Sequence, residues 1–253
     1  MCGIAGIAAT GAINGDAVPA MISRMGHRGP DGEGLWQSKD RRVAFGHTRL
    51  AVIDTSDAGA QPMLDPSGQV AVVYNGEIYN YREIAERLRR EGVALRSSCD
   101  TEVLLQAYMC WGRSMLAELN GMFAFCIHDS RDRTLFCARD RFAEKPFLFS
   151  VTDRHFAFAS EYKALFALSD IPVRIDETRL MRFLADGRTG LDGDSETAFH
   201  GVRQLRGGEY LTLDLQSMNV EIGRYWSPLP DLNAKETSFE DAVAEFRGLL
   251  SDS

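Results

Sequence analysis

Cys2 stands directly behind the initiator methionine in the opening "MCGIAGI". If Met1 is removed, one residue carries both a thiol and a free α-amino group. The reference pKa of such an amine is about 7.7 to 8.0, so roughly a tenth of it is neutral at pH 7, against well under a thousandth of a lysine near 10.4. A thiol near about 8.5 is a few per cent thiolate, and the adjacent amine can take its proton directly or through a water. One residue then supplies nucleophile and base. The small side chain at position 2 is the reason to expect removal of Met1. From the two residues alone, the cysteine can also be an accident of the start codon.

Other residues strengthen the chemical reading. In "VVYNGEIYN" (72–80) Asn75 and Gly76 set a strand against a helix start and are followed by an acid, Glu77. Free N–H groups at a helix start, with a glycine that lets a substrate approach, can stabilise an oxyanion; a plain Asn-Gly turn fits the same residues. Arg49 in "HTRLAVI" puts a guanidinium among strand hydrophobes, where it wants a carboxylate, either of a substrate or of a structural salt bridge. His27 and His47 offer a papain-like Cys/His pairing, which the amine makes unnecessary. The Gly-rich "GHRGPDGEG" (26–34) reads as a lid or as a fixed turn.

These residues need a scaffold. Strand-like runs occur at 2–8, 43–53, 69–75, 122–129, 134–140, 155–160, 209–215 and 220–226, many of them apolar at consecutive positions, which suits strands covered on both faces. Helical spacing appears in "EIYNYREIAERLRREG" (Ile78, Tyr81, Ile84, Ala85, Leu88, with Gly92 as stop) and in "DTEVLLQAYMCWG" (Val103, Leu104, Ala107, Tyr108, Trp111, with Asp100 as N-cap and Gly112 as stop). A third helix, "SFEDAVAEFRGLLSDS", opens with a Ser238/Asp241 capping pattern and carries an apolar face for which no partner follows. The Pro-containing stretch before it reads as a linker after a first domain ending near Trp226.

Composition narrows the classes of function. A net charge of -8 over 253 residues argues against a phosphate-backbone partner. The basic run from Arg82 to Arg90 is interrupted by Glu83 and Glu86 and reads as a solvated helix face. No apolar stretch approaches the ~20 residues of a membrane span, so a cytosolic protein is expected, with neither nucleic acid nor membrane as partner. Five cysteines without Cys-x-x-Cys spacing predict neither a disulfide framework nor a zinc site, and Cys126 and Cys137 read as buried small hydrophobes.

Taken in order, "MCGIAGI", "GHRGPDG", "GHTRLAVID", "YNGEIYNYREI", "SSCDTEVLL", "LNGMFAFCIHD", "ARDRF", "KPF" and "FASEYKAL" resemble the class II glutamine amidotransferase domain at the N-terminus of asparagine synthetases. The resemblance covers residues 2 to 226. It implies an α+β fold, the four-layer αββα sandwich of two antiparallel sheets found in N-terminal nucleophile hydrolases. Residue by residue, it implies Cys2 as nucleophile toward the glutamine side-chain amide and Asn75 and Gly76 as oxyanion hole. Arg49 would hold the substrate α-carboxylate, Glu77 and Asp100 its α-amino group, and the main chain around Leu50 and Val52 would line the pocket. Water would then cleave the thioester to give glutamate and ammonia, with no cofactor or metal.

The resemblance further implies a synthetase domain in cis that uses ATP and Mg2+, and a homodimer. The serine-glycine-glycine loop of that domain is missing from these 253 residues, so residues 227–253 are expected to be a linker and the first helix of an absent synthetase domain. The nitrogen acceptor, aspartate or another carboxylate, stays open. Two other readings remain: an N-terminal cysteine amidohydrolase acting on another amide, which would not need Arg49, Glu77 and Asp100, and a non-catalytic interaction or regulatory domain. One departure from the family pattern stands out. In "RFAEKPFLFS" Ala143 replaces a usual glycine, and Phe147, Leu148 and Phe149 also differ; if that glycine serves a positive φ, Ala143 costs about 1 kcal/mol or shifts the turn.

Overall fold

Every residue from 70 to 75 is buried, so alternate side chains must meet two different neighbours. Val70, Val72 and Tyr74 pack with Ile84, Leu88, Leu104 and Tyr108. Ala71 and Val73 instead join Phe45, Phe147, Phe149 and Phe158. A strand with a helical layer on one face and a second sheet on the other is thereby required.

The computed structural model describes residues 1–53, 55–186, 194–228 and 237–252. Its strands are β1 (Gly3–Ala9), β2 (Gly32–Gln37), β3 (Val43–Arg49), β4 (Met63–Leu64), β5 (Val70–Ile78), β6 (Gly121–Asp129), β7 (Thr134–Arg139), β8 (Leu148–Val151), β9 (His155–Ala159), β10 (Arg203–Gln204), β11 (Glu209–Asp214) and β12 (Val220–Arg224). They form two antiparallel sheets, ordered β10-β8-β9-β1-β3-β2 and β12-β11-β7-β6-β5-β4. Helices α1 (Ala17–Ser23) and α4 (Tyr162–Leu165) cover the first sheet through Val18, Met21, Ile22 and Leu165. Helices α2 (Tyr81–Arg90) and α3 (Asp100–Trp111) cover the second. The result is the expected four-layer αββα sandwich; α5 (Glu177–Asp186) and α6 (Phe239–Asp252) complete the elements.

Local expectations hold where periodicity was strong and shift where pairing overrides it. Gly92 and Gly112 follow α2 and α3 with φ of 90° and 56°. Arg82, Glu83, Glu86, Arg87, Arg89 and Arg90 are exposed on α2, as a solvated face requires. Asp241 N–H donates to Ser238 Oγ at 3.2 Å at the start of α6. Residues 229–236, most of the expected linker, lie outside the described residues. Ile78, by contrast, is not helical: it pairs with Gly121 at the end of β5, and the helix starts at Tyr81. Continued ladder pairing with β6 outweighs the helical spacing of an isolated Ile78.

Asp100 is not an N-cap either. Cys99 holds that position, and the Asp100 carboxylate turns inward to accept from Tyr74 Oη at 2.8 Å and Ile78 N at 3.2 Å. The Gly-rich segment forms one 3-10 turn over Gly26–Arg28 and then runs into β2.

The segment after β7 keeps its turn despite Ala143. Asp140, fully buried, collects four backbone N–H groups: Phe142 and Glu144 on Oδ1 at 3.0 Å each, Lys145 on Oδ2 at 3.0 Å, and Phe123 on Oδ2 at 3.2 Å. Arg139 Nη2 donates to the Ala143 carbonyl at 2.7 Å. So anchored, Ala143 is held at φ 58°, a left-handed conformation that a Cβ disfavours. In urea denaturation, Ala143→Gly is expected to raise the midpoint at constant m, a gain of about 1 kcal/mol; a lower midpoint would show the position to be unstrained.

Candidate active site

β1 begins at Gly3, which pairs with Thr48 on β3, so Cys2 is delivered to the end of the first sheet beside Leu50. Leu50 N–H donates to Cys2 Sγ at 3.3 Å, and Sγ lies 3.5 Å from the Leu50 carbonyl oxygen. The Cys2 carbonyl accepts from Arg28 Nε at 2.9 Å, and Arg28 is held in turn by Glu161 at 2.9 Å. The nucleophile candidate is thus fixed on both its side chain and its main chain.

The end of β5 in the second sheet faces this point. Between them lies a cavity of about 170 Å3 whose walls include Cys2, Arg49, Leu50 and Val52 from one side and Asn75, Gly76, Glu77 and Asp100 from the other. The residues that the family resemblance assigns to the site are therefore brought together. Asn75 is buried, and its Nδ2 has no hydrogen-bond partner among the described residues. Asn75 and Gly76 do not form a turn; they pair with Ala124 and Phe123 inside the ladder. Glycine is needed at 76 because a Cβ there would overlap the Met122 carbonyl oxygen, so β6 rather than a substrate fills that space. Arg49 Nη2 donates to the Ser56 carbonyl at 2.8 Å, tying the cavity's rim loop to the end of β3.

The electrostatics follow from burial. Desolvation pushes the Cys2 thiol up, opposed by the Leu50 N–H, the terminal ammonium and Arg49. Desolvation likewise raises the Asp100 carboxyl above its ordinary value, against the lowering effect of Tyr74 Oη and the Ile78 N–H. Tyr74 is pushed well up by burial and by Asp100, so it stays a donor. His47 is lowered to about 4 by burial and bonds to the Tyr74 main chain, leaving it neutral and too weak a base for a papain-like role. His27 is half exposed on Glu161 at 2.9 Å and does not line the cavity. Neither histidine is a partner for Cys2.

Three lining residues were not legible from periodicity. Gln61 accepts from Tyr74 N at 2.6 Å and donates to Thr101 Oγ1 at 3.3 Å, joining β5 to the start of α3. Its signal, a polar residue in "AGAQPM", belongs to no regular element. Lys145 reaches the cavity from the Asp140-anchored turn, and Met1 lines it as well. Among the described residues no cluster of three His, Cys, Asp or Glu side chains could hold a metal ion, and no helix is long and apolar enough to cross a membrane.

Comparison with known proteins agrees with this geometry. A family model described as "Glutamine amidotransferase domain" matches residues 1–226. The chain is 36% identical over 234 residues to glutamine-hydrolysing asparagine synthetase 3 of Bacillus subtilis, covering 92% of this chain and 37% of that protein. It is 33% identical over 258 residues to amidase chry2 of Gibberella zeae, covering 97% of this chain and 37% of that one. The chain therefore spans little more than a third of the length of these relatives. Glutamine phosphoribosylpyrophosphate amidotransferase from B. subtilis shares the fold at a TM-score of 0.66 and 18% identity, over 89% of this chain and 49% of that one. By its matched length, its relatives and its four-layer sandwich, the chain belongs to the class II glutamine amidotransferase domain family.

Proposed function

We propose that this chain is an N-terminal cysteine glutaminase, hydrolysing the side-chain amide of L-glutamine to glutamate and ammonia. The observation that carries it is the convergence of Cys2, Arg49, Asn75, Gly76, Glu77 and Asp100 on one cavity, with the buried Asn75 Nδ2 left without a hydrogen-bond partner among the described residues. A buried donor without an acceptor costs free energy unless a ligand supplies one, and an oxyanion is the acceptor that rewards it most.

With Met1 attached, the Cys2 nitrogen is a peptide amide without a basic lone pair, so the chemistry requires its removal. The freed amine takes the thiol proton as Sγ attacks the amide carbon. Asn75 Nδ2 and the Gly76 N–H receive the developing oxyanion. The protonated amine then gives its proton to the departing nitrogen, which leaves as ammonia, and a thioester remains. Water, deprotonated by the same amine, cleaves the thioester and returns the thiol. Arg49 holds the substrate carboxylate, Glu77 and Asp100 its ammonium, and the main chain at Leu50 and Val52 completes the pocket. A neutral amide with a zwitterionic tail is the ligand that this charge arrangement matches.

In the cytosol, the ammonia is passed to a synthetase-type domain in cis, where ATP and Mg2+ would activate the acceptor carboxylate. Residues 227–253 are read as the link to that domain. The exposed Phe239, Phe246, Leu249 and Leu250 of α6 support an apolar partner surface there.

Three outcomes are expected for activity and one for stability. Purified chain whose intact mass lacks Met1 releases equimolar glutamate and ammonia from glutamine, and Cys2→Ala protein releases neither; activity persisting in Cys2→Ala or in Met1-retaining protein would dismiss the mechanism. Asn75→Ala lowers kcat by about 10²- to 10³-fold with KM nearly unchanged, the signature of a lost oxyanion donor. Asp100→Asn raises KM for glutamine by about 10- to 100-fold, the loss of one charge-assisted hydrogen bond. Because folding raises the Asp100 carboxyl, its contribution to stability is present below the unfolded value near about 3.9 and is lost as pH rises through the folded value. The same Asp100→Asn variant should accordingly be no less stable than the parent at pH 8, which thermal denaturation checks.

A further inference from the structure

Lys145 is the charged group in the cavity that the proposed mechanism leaves unused. It is 6% exposed, and its main chain is fixed, the N–H donating to Asp140 Oδ2 at 3.0 Å and the carbonyl accepting from Arg139 Nε at 2.6 Å. Its Nζ donates to Met1 Sδ at 3.4 Å, and among the described residues it has no carboxylate partner. A buried ammonium without a counter-charge is costly, and a thioether sulfur is a weak acceptor. That acceptor belongs to the residue whose removal the mechanism requires. Once Met1 is gone, the group that begins where Met1 ended is the α-amine of Cys2.

A like charge in the same cavity disfavours a second positive charge on that amine. The other charged groups around it divide clearly. Arg28, on the Cys2 carbonyl, acts in the same direction. Arg49, at the end of β3, is tied to Ser56. On the facing wall Glu77 and Asp100 act in the opposite direction, with Asp100 already engaged by Tyr74 and Ile78. His47, lowered to about 4, carries no charge near pH 7, and Tyr74 and Cys99 are pushed up and stay neutral.

We propose that Lys145 is an electrostatic positioning residue: its ammonium, facing the place that Met1 vacates, keeps the α-amino group of Cys2 in its neutral, proton-accepting form near pH 7. This inference rests on the reading of Cys2 as an N-terminal nucleophile whose amine is the base.

Carbamylation by cyanate, followed by peptide mass as a function of pH, titrates that amine without relying on turnover. In Cys2→Ala protein with Met1 removal confirmed by intact mass, Lys145→Met is expected to raise the titration midpoint by about one pH unit, and Lys145→Arg to leave it in place. Lys145→Gln serves as a second neutral replacement if Lys145→Met does not fold. With Cys2 intact, the acid limb of kcat/KM for glutamine should move by the same amount in the neutral variants. A midpoint unmoved by the neutral variants, or moved equally by Lys145→Arg, overturns the role of Lys145 while leaving a Cys2-dependent glutaminase standing. A shifted midpoint in a protein that never hydrolyses glutamine supports the electrostatic role and sinks the glutaminase reading instead.

Discussion

The apolar seam between the two sheets governs everything else in this chain. Phe147 and Phe158 stack with ring centroids 5.3 Å apart, Phe45 meets Phe158 edge-on at 5.7 Å, and Ala71, Val73, Ala124 and Cys126 close the seam from the other sheet. Such a seam sets both the separation and the alignment of two twisted sheets. The polar side chains on these strand faces collect toward the strand ends, as His47 and His128 do. Cys2 before β1, Arg49 at the end of β3 and Asn75 to Glu77 near the end of β5 meet in one cavity because the hydrophobic layer leaves them nowhere else to go.

Within that cavity, rigidity comes from main-chain contacts more than from side-chain pairs. Cys2 is held by the Leu50 main chain and by Arg28 on its own carbonyl. Asp140 gathers the N–H groups of one turn, and Gln61 bridges the Tyr74 N–H to Thr101. Each of these uses a buried polar group that would be costly unsatisfied, so the local structure has few alternatives. Ala143 shows how firm the arrangement is, since a left-handed alanine is kept rather than the turn rearranged.

The same burial shapes the chemistry. It neutralises His47, raises the Cys2 thiol and the Asp100 carboxyl, and leaves the Asn75 amide without an acceptor. A zwitterionic amide as proposed would supply the Asn75 amide with an acceptor and Asp100 with an ammonium, so its binding would stabilise the domain.

The sequence by itself determined the layered class and the cast of the site. Runs apolar on both sides of β5 demand two covering layers; Cys2, Arg49, Asn75, Gly76 and Glu77 stand out by their chemistry, whereas Asp100 reads locally as a helix cap and joins the site only through the family resemblance. Glycine stops, the capping pair Ser238/Asp241 and the solvated face of α2 were equally readable, being local in origin. Tertiary structure alone decided that Asn75 and Gly76 lie in a strand and that Ile78 is not helical, because ladder pairing with β6 is a non-local interaction that spacing along the chain does not register. It also decided that Asp100 turns inward to Tyr74 instead of capping α3, and that Gln61 and Lys145 reach the cavity from irregular segments. Their roles depend on which groups are left buried without partners, and that is fixed only when the two sheets close on each other.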